Sequence, residues 1–324
     1  MRLPKFEYVE ARSVQEASAI LLDEPKAKIL AGGTDLLINM KHRVEVPSIL
    51  VNIKNVADLD FIRKDNGAIR LGALTSLKRV YKSPLIAERV PALSSAASKV
   101  GSYHHQTMGT LGGNICQQNR CMFFNQSQWW RSARPTCLKA GGEICHVVNK
   151  KETCYSSYCG DVAPALLSAN ANVILQGREG SRQISLGSLF SGNGKNPLGL
   201  QRGEILTEIV IPEEALDGVS TYLKFANREG IDFPIVGMAL WSSSEKKEYR
   251  VAFTAVDRKP IRVQNVESFL KGKELSKEII EEASGLVPKE ATPVKSSLYT
   301  PSYKRMMMGV LLRKALNEAR GRSK

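Results

Sequence analysis

The chain has 324 residues, 43% of them hydrophobic and 24% charged, with a formal net charge of +14. That length supports two or three separate cores, and no apolar run approaches the roughly 20 residues of a membrane helix, which argues against a membrane partner. The positive charge would suit an acidic partner, but apart from residues 304–324 it is dispersed. No nucleic-acid motif or aromatic–basic repeat accompanies it, so it reads as a solvated basic surface and no nucleic-acid partner is expected.

In chain order, Ser13-Val14-Gln15-Glu16 has the form of a capping box, and Ala17, Ile20 and Leu21 supply an apolar face, predicting a helix over about 14–22. A short apolar strand then ends at Ala31, Gly32-Gly33 turns the chain, and Thr34 and Asp35 open a second helix. Taken alone, such a pair is an ordinary tight turn with a polar cap, although glycines also let a backbone approach a phosphate closely. Residues 48–53 read as a buried strand, and Asp65-Asn66-Gly67 as a hairpin turn before a strand at 68–73. Helices are predicted near 76–82 and 91–99, followed by a second glycine-rich turn, Gly109-Thr110-Leu111-Gly112-Gly113-Asn114. Beyond the cysteines, a short helix from Asp161, a hairpin around Gly177–Gly180 and a strand ending at Pro212 are expected. A boundary is placed at 213–219. After it, three strands and helices near 265–271, 276–284 and 301–318 make an α+β unit, with Met306, Met307 and Met308 as core packing.

All six cysteines, Cys116, Cys121, Cys137, Cys145, Cys154 and Cys159, fall in one segment that lacks a clear apolar period. Such a loop needs a staple, because cross-links must replace packing. Disulfides suit an oxidising compartment, whereas the N-terminal stretch has no apolar signal region, so a cytoplasmic setting is expected. Zinc usually takes tight Cys-x2–4-Cys pairs, and the spacings here are 5, 16, 8, 9 and 5. An iron-sulfur cluster tolerates varied spacing. Spacing favours a cluster over zinc, with unligated buried cysteines as a third reading. His146, beside Cys145, reads as a solvated loop histidine. The common nucleotide, hydrolase and metalloprotease signatures are absent. A basic, zinc-stapled nucleic-acid-binding protein stands as the alternative of another class.

The two glycine segments together, Ile29-Leu30-Ala31-Gly32-Gly33-Thr34-Asp35-Leu36 and Gly109-Thr110-Leu111-Gly112-Gly113-Asn114, resemble the FAD-binding signatures of the flavin-carrying (medium) subunit of the xanthine dehydrogenase and carbon monoxide dehydrogenase family. Residues 71–77, the run from Asp161 and the run from Lys224 also resemble family segments. The resemblance implies an α+β chain: an FAD-binding domain of the PCMH or vanillyl-alcohol-oxidase type over 1–212, with subdomains of about 1–55 and 56–212, and a CO-dehydrogenase-flavoprotein-like domain over 217–320. It implies that Ile29 to Leu36 and Thr110, Leu111, Gly112, Gly113 and Asn114 hold FAD. Asp161 would accept from its hydroxyls, and Lys224 would place a positive charge near the flavin ring. Where relatives often have an arginine–asparagine pair before the second turn, this chain has Gln106-Thr107.

Asn114 and Asp161 are almost adjacent in most relatives but 47 positions apart here. An insertion over 115–160 is similar to the one carrying a [4Fe-4S] cluster in the flavin subunit of 4-hydroxybenzoyl-CoA reductases. By that likeness the ligands are Cys121, Cys137, Cys145 and Cys154, while Cys116 and Cys159 belong to the flavin scaffold and Trp129 and Trp130 shield the cluster. The implied complex is a dimer of heterotrimers, with a large molybdopterin subunit and a small subunit bearing two [2Fe-2S] clusters. Reduced ferredoxin would feed electrons through the cluster and FAD toward molybdenum for reductive dehydroxylation. The flavin subunit of a xanthine-, aldehyde- or CO-dehydrogenase-type molybdenum hydroxylase is the alternative.

Overall fold

The computed structural model describes residues 2–295 and 298–322, so Lys324, the end of the basic stretch, lies outside them. Three sheets organise the chain. The first is parallel, in the order β1-β3-β2, from β1 (Glu7–Glu10), β2 (Lys28–Leu30) and β3 (Ile49–Asn52). The helix Val14–Asp23 crosses between β1 and β2, capped as its sequence predicts: Ser13 Oγ accepts from Glu16 N at 3.1 Å, and Glu16 reaches back to Arg12 N at 2.8 Å.

The second sheet is antiparallel, in the order β4-β5-β8-β6-β7: β4 (Ile62–Asp65), β5 (Ala68–Gly72), β6 (Asn172–Gly177), β7 (Gly180–Ser185) and β8 (Ile205–Ile211). Asn66 and Gly67 both adopt positive φ between β4 and β5, the geometry that a two-residue hairpin of this twist demands. In β8 all positions but Glu208 are buried, which explains why its run of apolar residues does not alternate.

The third sheet, β12-β11-β10-β9, contains β9 (Val219–Phe225), β10 (Val236–Ser243), β11 (Glu248–Thr254) and β12 (Ile261–Arg262), all antiparallel. Every residue of β10 is buried, with the helix Pro301–Arg322 packed against it and the helix Val162–Ser168 also in contact. That latter helix lies in the same core cluster as Tyr222, Ala239 and Ala252, so the second and third sheets are joined through continuous apolar packing. Of the three methionines, Met308 is fully buried and Met307 packs against the core, but Met306 is 53% exposed: consecutive helical positions point about 100° apart and cannot share one face.

Strands β1 and β12 and the helices Pro84–Arg89 and Tyr103–Met108 have too short a period to be legible. The second glycine segment is a helix start rather than a free turn, since Leu111–Ile115 is helical with Thr110 as its cap. Between Cys116 and Gly160 the chain is almost wholly irregular, with one short helix (Gln128–Ser132), one 3-10 turn (Leu138–Ala140) and isolated bridges Arg120–Ser157, Cys137–Ile144 and Cys145–Lys150. Among the described residues no helix is long and apolar enough to cross a membrane.

Candidate functional site

A cavity of about 550 Å³ opens where the first sheet meets the second glycine segment, within the range of small-molecule and cofactor sites. Its floor depends on two backbones touching. A Cβ on Gly32 would collide with the Met108 carbonyl oxygen and lie 2.9 Å from Gly109 Cα, so only glycine lets the two segments meet. Gly33, at φ +72°, turns the chain beside it. Among the described residues the N–H groups of Gly33, Thr34 and Asp35 have no protein acceptor, as an anion-binding turn requires. The second segment is pinned from below: Leu111 N donates to Thr75 O at 2.9 Å and Gly112 N to Ala73 O at 2.8 Å. A Cβ on Gly112 would press on Ala73, whereas one on Gly113 would meet only Thr110 Oγ1, which caps Gly113 N at 3.0 Å. Gly113 also lines the cavity, so its bare backbone leaves room there that a side chain would fill. Together, orphan N–H groups and a glycine cradle fit a pyrophosphate-bearing cofactor.

Ile29, Ala31, Gly32, Gly33, Thr34, Asp35, Leu36, Thr110, Gly112, Gly113, Asn114 and Asp161 all line this cavity. Leu30 and Leu111 do not; they are buried in the cores beneath and act by packing. Lys224 does not line it either. Its Nζ lies 3.0 Å from Asp161 Oδ1 and donates to Lys99 O and Asp232 O, each at 2.8 Å. It therefore meets the cavity through Asp161 and Asp232, which both line it, and Asp161 also accepts from Tyr222 Oη at 2.8 Å. Burial raises the Asp161 carboxyl to about 6, opposed by Lys224 and Tyr222. Gln106 faces away, donating to Ser98 O and Val100 O.

Sequence reasoning missed several lining residues, Arg120 above all. Its Nη1 reaches Asp35 Oδ1 at 3.2 Å and its guanidinium lies 4.5 Å from the Phe233 ring, across 85 and 113 positions of chain that no local pattern links. Arg120 belongs to the insertion, which leaves and returns at one point. Val162 N donates to Asn114 Oδ1 at 3.3 Å, and the Arg120–Ser157 bridge closes the neck.

Within the insertion, Cys121, Cys137, Cys145 and Cys154 line a second, small cavity with Phe123, Phe124, Leu138, Lys139, His146 and Val147. Cys116 instead lines the first cavity, and Cys159 is buried beside the Tyr158–Asp161 segment. Burial pushes the Cys116 thiol up to about 12 and the Cys159 thiol up to about 11, the behaviour of inert packed thiols. None of the six forms a disulfide. Cys145 and Cys154 hydrogen-bond to each other, which draws the Cys145 thiol down and pushes Cys154 up. Among the described residues no three His, Cys, Asp or Glu side chains are close enough to hold a single metal ion. Four thiols on one cavity are the donor set that an iron-sulfur cluster uses, and they do not form a single-ion site. The space between them is about 10 Å³, so the thiols must part to admit it. Trp129 is 81% exposed and neither tryptophan lines this cavity; Phe123, Phe124, Leu138 and Val147 shield it instead. His146 is not simply solvated, because its ring meets the edge of Phe123 at 5.7 Å beside the thiols.

Residues 4–214 match the family described as FAD binding domain in molybdopterin dehydrogenase, and residues 221–319 match the CO dehydrogenase flavoprotein C-terminal domain. The chain is 28% identical to the nicotinate dehydrogenase FAD-subunit of Eubacterium barkeri, over 85% of this chain and 83% of that one. It is 26% identical to the glyceraldehyde dehydrogenase medium chain of Sulfolobus acidocaldarius, over 97% and 98%. A carbon monoxide dehydrogenase structure from Hydrogenophaga pseudoflava superposes with a TM-score of 0.82 at 26% identity, covering 99% of each chain. With the glycine cradle and its orphan N–H groups, these matches place the chain in the FAD-binding, medium-chain family of xanthine and carbon monoxide dehydrogenases.

Proposed function

We propose that the chain is the FAD-carrying electron-transfer subunit of a cytoplasmic molybdenum hydroxylase of the xanthine, aldehyde or CO dehydrogenase type. It would work in a hetero-oligomer with a large molybdopterin subunit and a small subunit carrying two [2Fe-2S] clusters. The observation that carries the reading is the cavity between the two glycine segments. The names of the relatives, a nicotinate dehydrogenase FAD-subunit and a glyceraldehyde dehydrogenase medium chain, favour an oxidising hydroxylase over a reductase. FAD supplies a carrier that exchanges electrons one or two at a time. In this reading residues 1–212, in two subdomains, supply most of its contacts, while residues 217–320 supply Lys224, which pairs with Asp161, and Ile231, Asp232 and Phe233, which line the cavity. Gly33, Thr34 and Asp35 offer N–H groups to its pyrophosphate, Asn114 and Asp161 face its hydroxyls, and Ile29, Ala31 and Leu36 give apolar contact.

A second reading is favoured by one specific observation, the four inner thiols on one cavity. Here Cys121, Cys137, Cys145 and Cys154 hold a [4Fe-4S] cluster, as in 4-hydroxybenzoyl-CoA reductases. Reduced ferredoxin is then the donor for reductive removal of a phenolic hydroxyl on the large subunit. The complex, purified without oxygen, is assayed for FAD, iron, acid-labile sulfide and molybdenum on one sample. About one FAD per chain with molybdenum in the partner supports the first reading, and a chain without flavin refutes it. About four iron and four sulfide on this chain, with ferredoxin-dependent reduction of an aromatic thioester, supports the second. Zinc or no metal leaves oxidation of a purine, aldehyde or heterocycle as the activity to test.

A further inference from the structure

Lys139 is the one lysine or arginine lining the thiol cavity, and among the described residues it makes no ion pair with a carboxylate. Its Nζ donates to Asn119 O at 3.2 Å, lies 3.5 Å from Ser156 Oγ and sits 4.9 Å from the centre of the Phe124 ring. Ser156 Oγ in turn accepts from Cys154 Sγ at 3.4 Å and donates to Gly194 O at 2.9 Å. A carbonyl, a hydroxyl and an aromatic face solvate an ammonium but do not neutralise it. An inward-facing cation without a counter-ion is expensive unless an anion completes the site. The acidic groups that share its cavity are the four thiols, and binding metal makes all four of them thiolates.

We infer that Lys139 is the positioning residue that balances the negative charge of a thiolate-ligated iron-sulfur group, and that it sets the group's reduction potential. This rests on the cluster reading above and extends it. Four thiolates outweigh the charge of the iron-sulfur core, and one-electron reduction adds a further negative charge. The Lys139 ammonium stabilises the reduced state more than the oxidised state, because attraction grows with the charge it faces. The partly desolvated cavity, walled by Phe123, Phe124, Leu138 and Val147, keeps that attraction from being screened. The electron comes from an external one-electron reductant, and no bond at Lys139 is made or broken.

The test compares wild type, Lys139→Met and Lys139→Arg in the assembled complex, purified without oxygen, by iron and sulfide content and by dithionite titration followed by electron paramagnetic resonance. The inference expects Lys139→Met to keep its FAD and to need a more negative potential for half-reduction. The reduced-to-oxidised ratio at a fixed potential should fall about tenfold, which is about 59 mV for one electron. Lys139→Arg should restore most of it. Iron lost from the Met variant but kept in the Arg variant also supports a charge requirement. Equal iron and equal potential in wild type and Lys139→Met overturns it, as does loss of iron from Met and Arg variants alike, which would make the role one of shape. A wild-type chain with FAD but no iron sinks the cluster reading itself, an outcome distinct from all the others.

Discussion

Substituting alanine at Gly32 and at Gly113 separates packing from ligand approach, because the two glycines are needed for different reasons. At Gly32 the new Cβ would run into the Met108 carbonyl oxygen and sit 2.9 Å from Gly109 Cα, where ordinary contact begins at 3.4 Å. Both atoms are backbone and the carbonyl oxygen is the closer, so the two glycine segments must separate by about 1 Å or more. Overpacking of this kind costs about 1–3 kcal/mol. The same separation spoils the cradle, and a loss of about 1.4 kcal/mol in binding is tenfold in affinity. At Gly113 the new Cβ meets only the Thr110 hydroxyl, so the fold loses at most a cap, about 1 kcal/mol, while the methyl intrudes on the cofactor's side. Urea denaturation gives the first quantity, and fluorescence titration of flavin-stripped protein with FAD gives the second. Gly32→Ala should lower both stability and affinity; Gly113→Ala should lower affinity by about tenfold or more with little change in stability. Gly230, where an added methyl would meet nothing within 4 Å, serves as the neutral control. If Gly32→Ala binds FAD within about twofold of wild type, the argument that these backbones jointly shape the site is wrong.

Removing Lys224 strands the Asp161 carboxylate, whose side chain is 3% exposed, so Lys224→Met should destabilise by about 3–5 kcal/mol near neutral pH. Adding Asp161→Asn should recover much of that in a double-mutant cycle, and additive losses would deny the coupling. Asp161 also carries a pH signature: raised from 3.8 to about 6, it takes up a proton on folding. Its favourable contribution is complete below pH 3.8 and lost as pH rises through 6, so the stability of wild type relative to Asp161→Asn should fall by roughly 3 kcal/mol between pH 3.5 and 7. A flat difference across that range would contradict it. Under the cluster reading, Cys137→Ser should cost the chain its iron and leave FAD bound, while Cys116→Ser leaves iron unchanged; iron analysis with the reverse pattern would reassign the ligands.

Much of the architecture follows from local chemistry. The capping box at Ser13–Glu16, the Asn66-Gly67 turn and the hairpin at β6 and β7 appear where their residues place them, since each is decided by neighbours a few positions apart. The same holds for the glycine segments as paired motifs and for the run of cysteines. Short elements such as β1 and β12 are invisible in the sequence because their only support is a partner strand elsewhere.

The sequence by itself determined which residues lack side chains, which carry thiols and where charge is available. Only the tertiary structure decided what each of these faces. Gly32 is bare to admit the chain's own backbone, whereas Gly113 is bare beside the cavity. Lys224 is spent on Asp161 and two carbonyls, and Arg120 reaches from the insertion into the cavity between the glycine segments. Cys121, Cys137, Cys145 and Cys154 share a cavity while Cys116 and Cys159 do not. Side-chain direction in an irregular segment has no period to read. It is fixed by contacts between residues tens of positions apart, and those contacts exist only once the chain has folded.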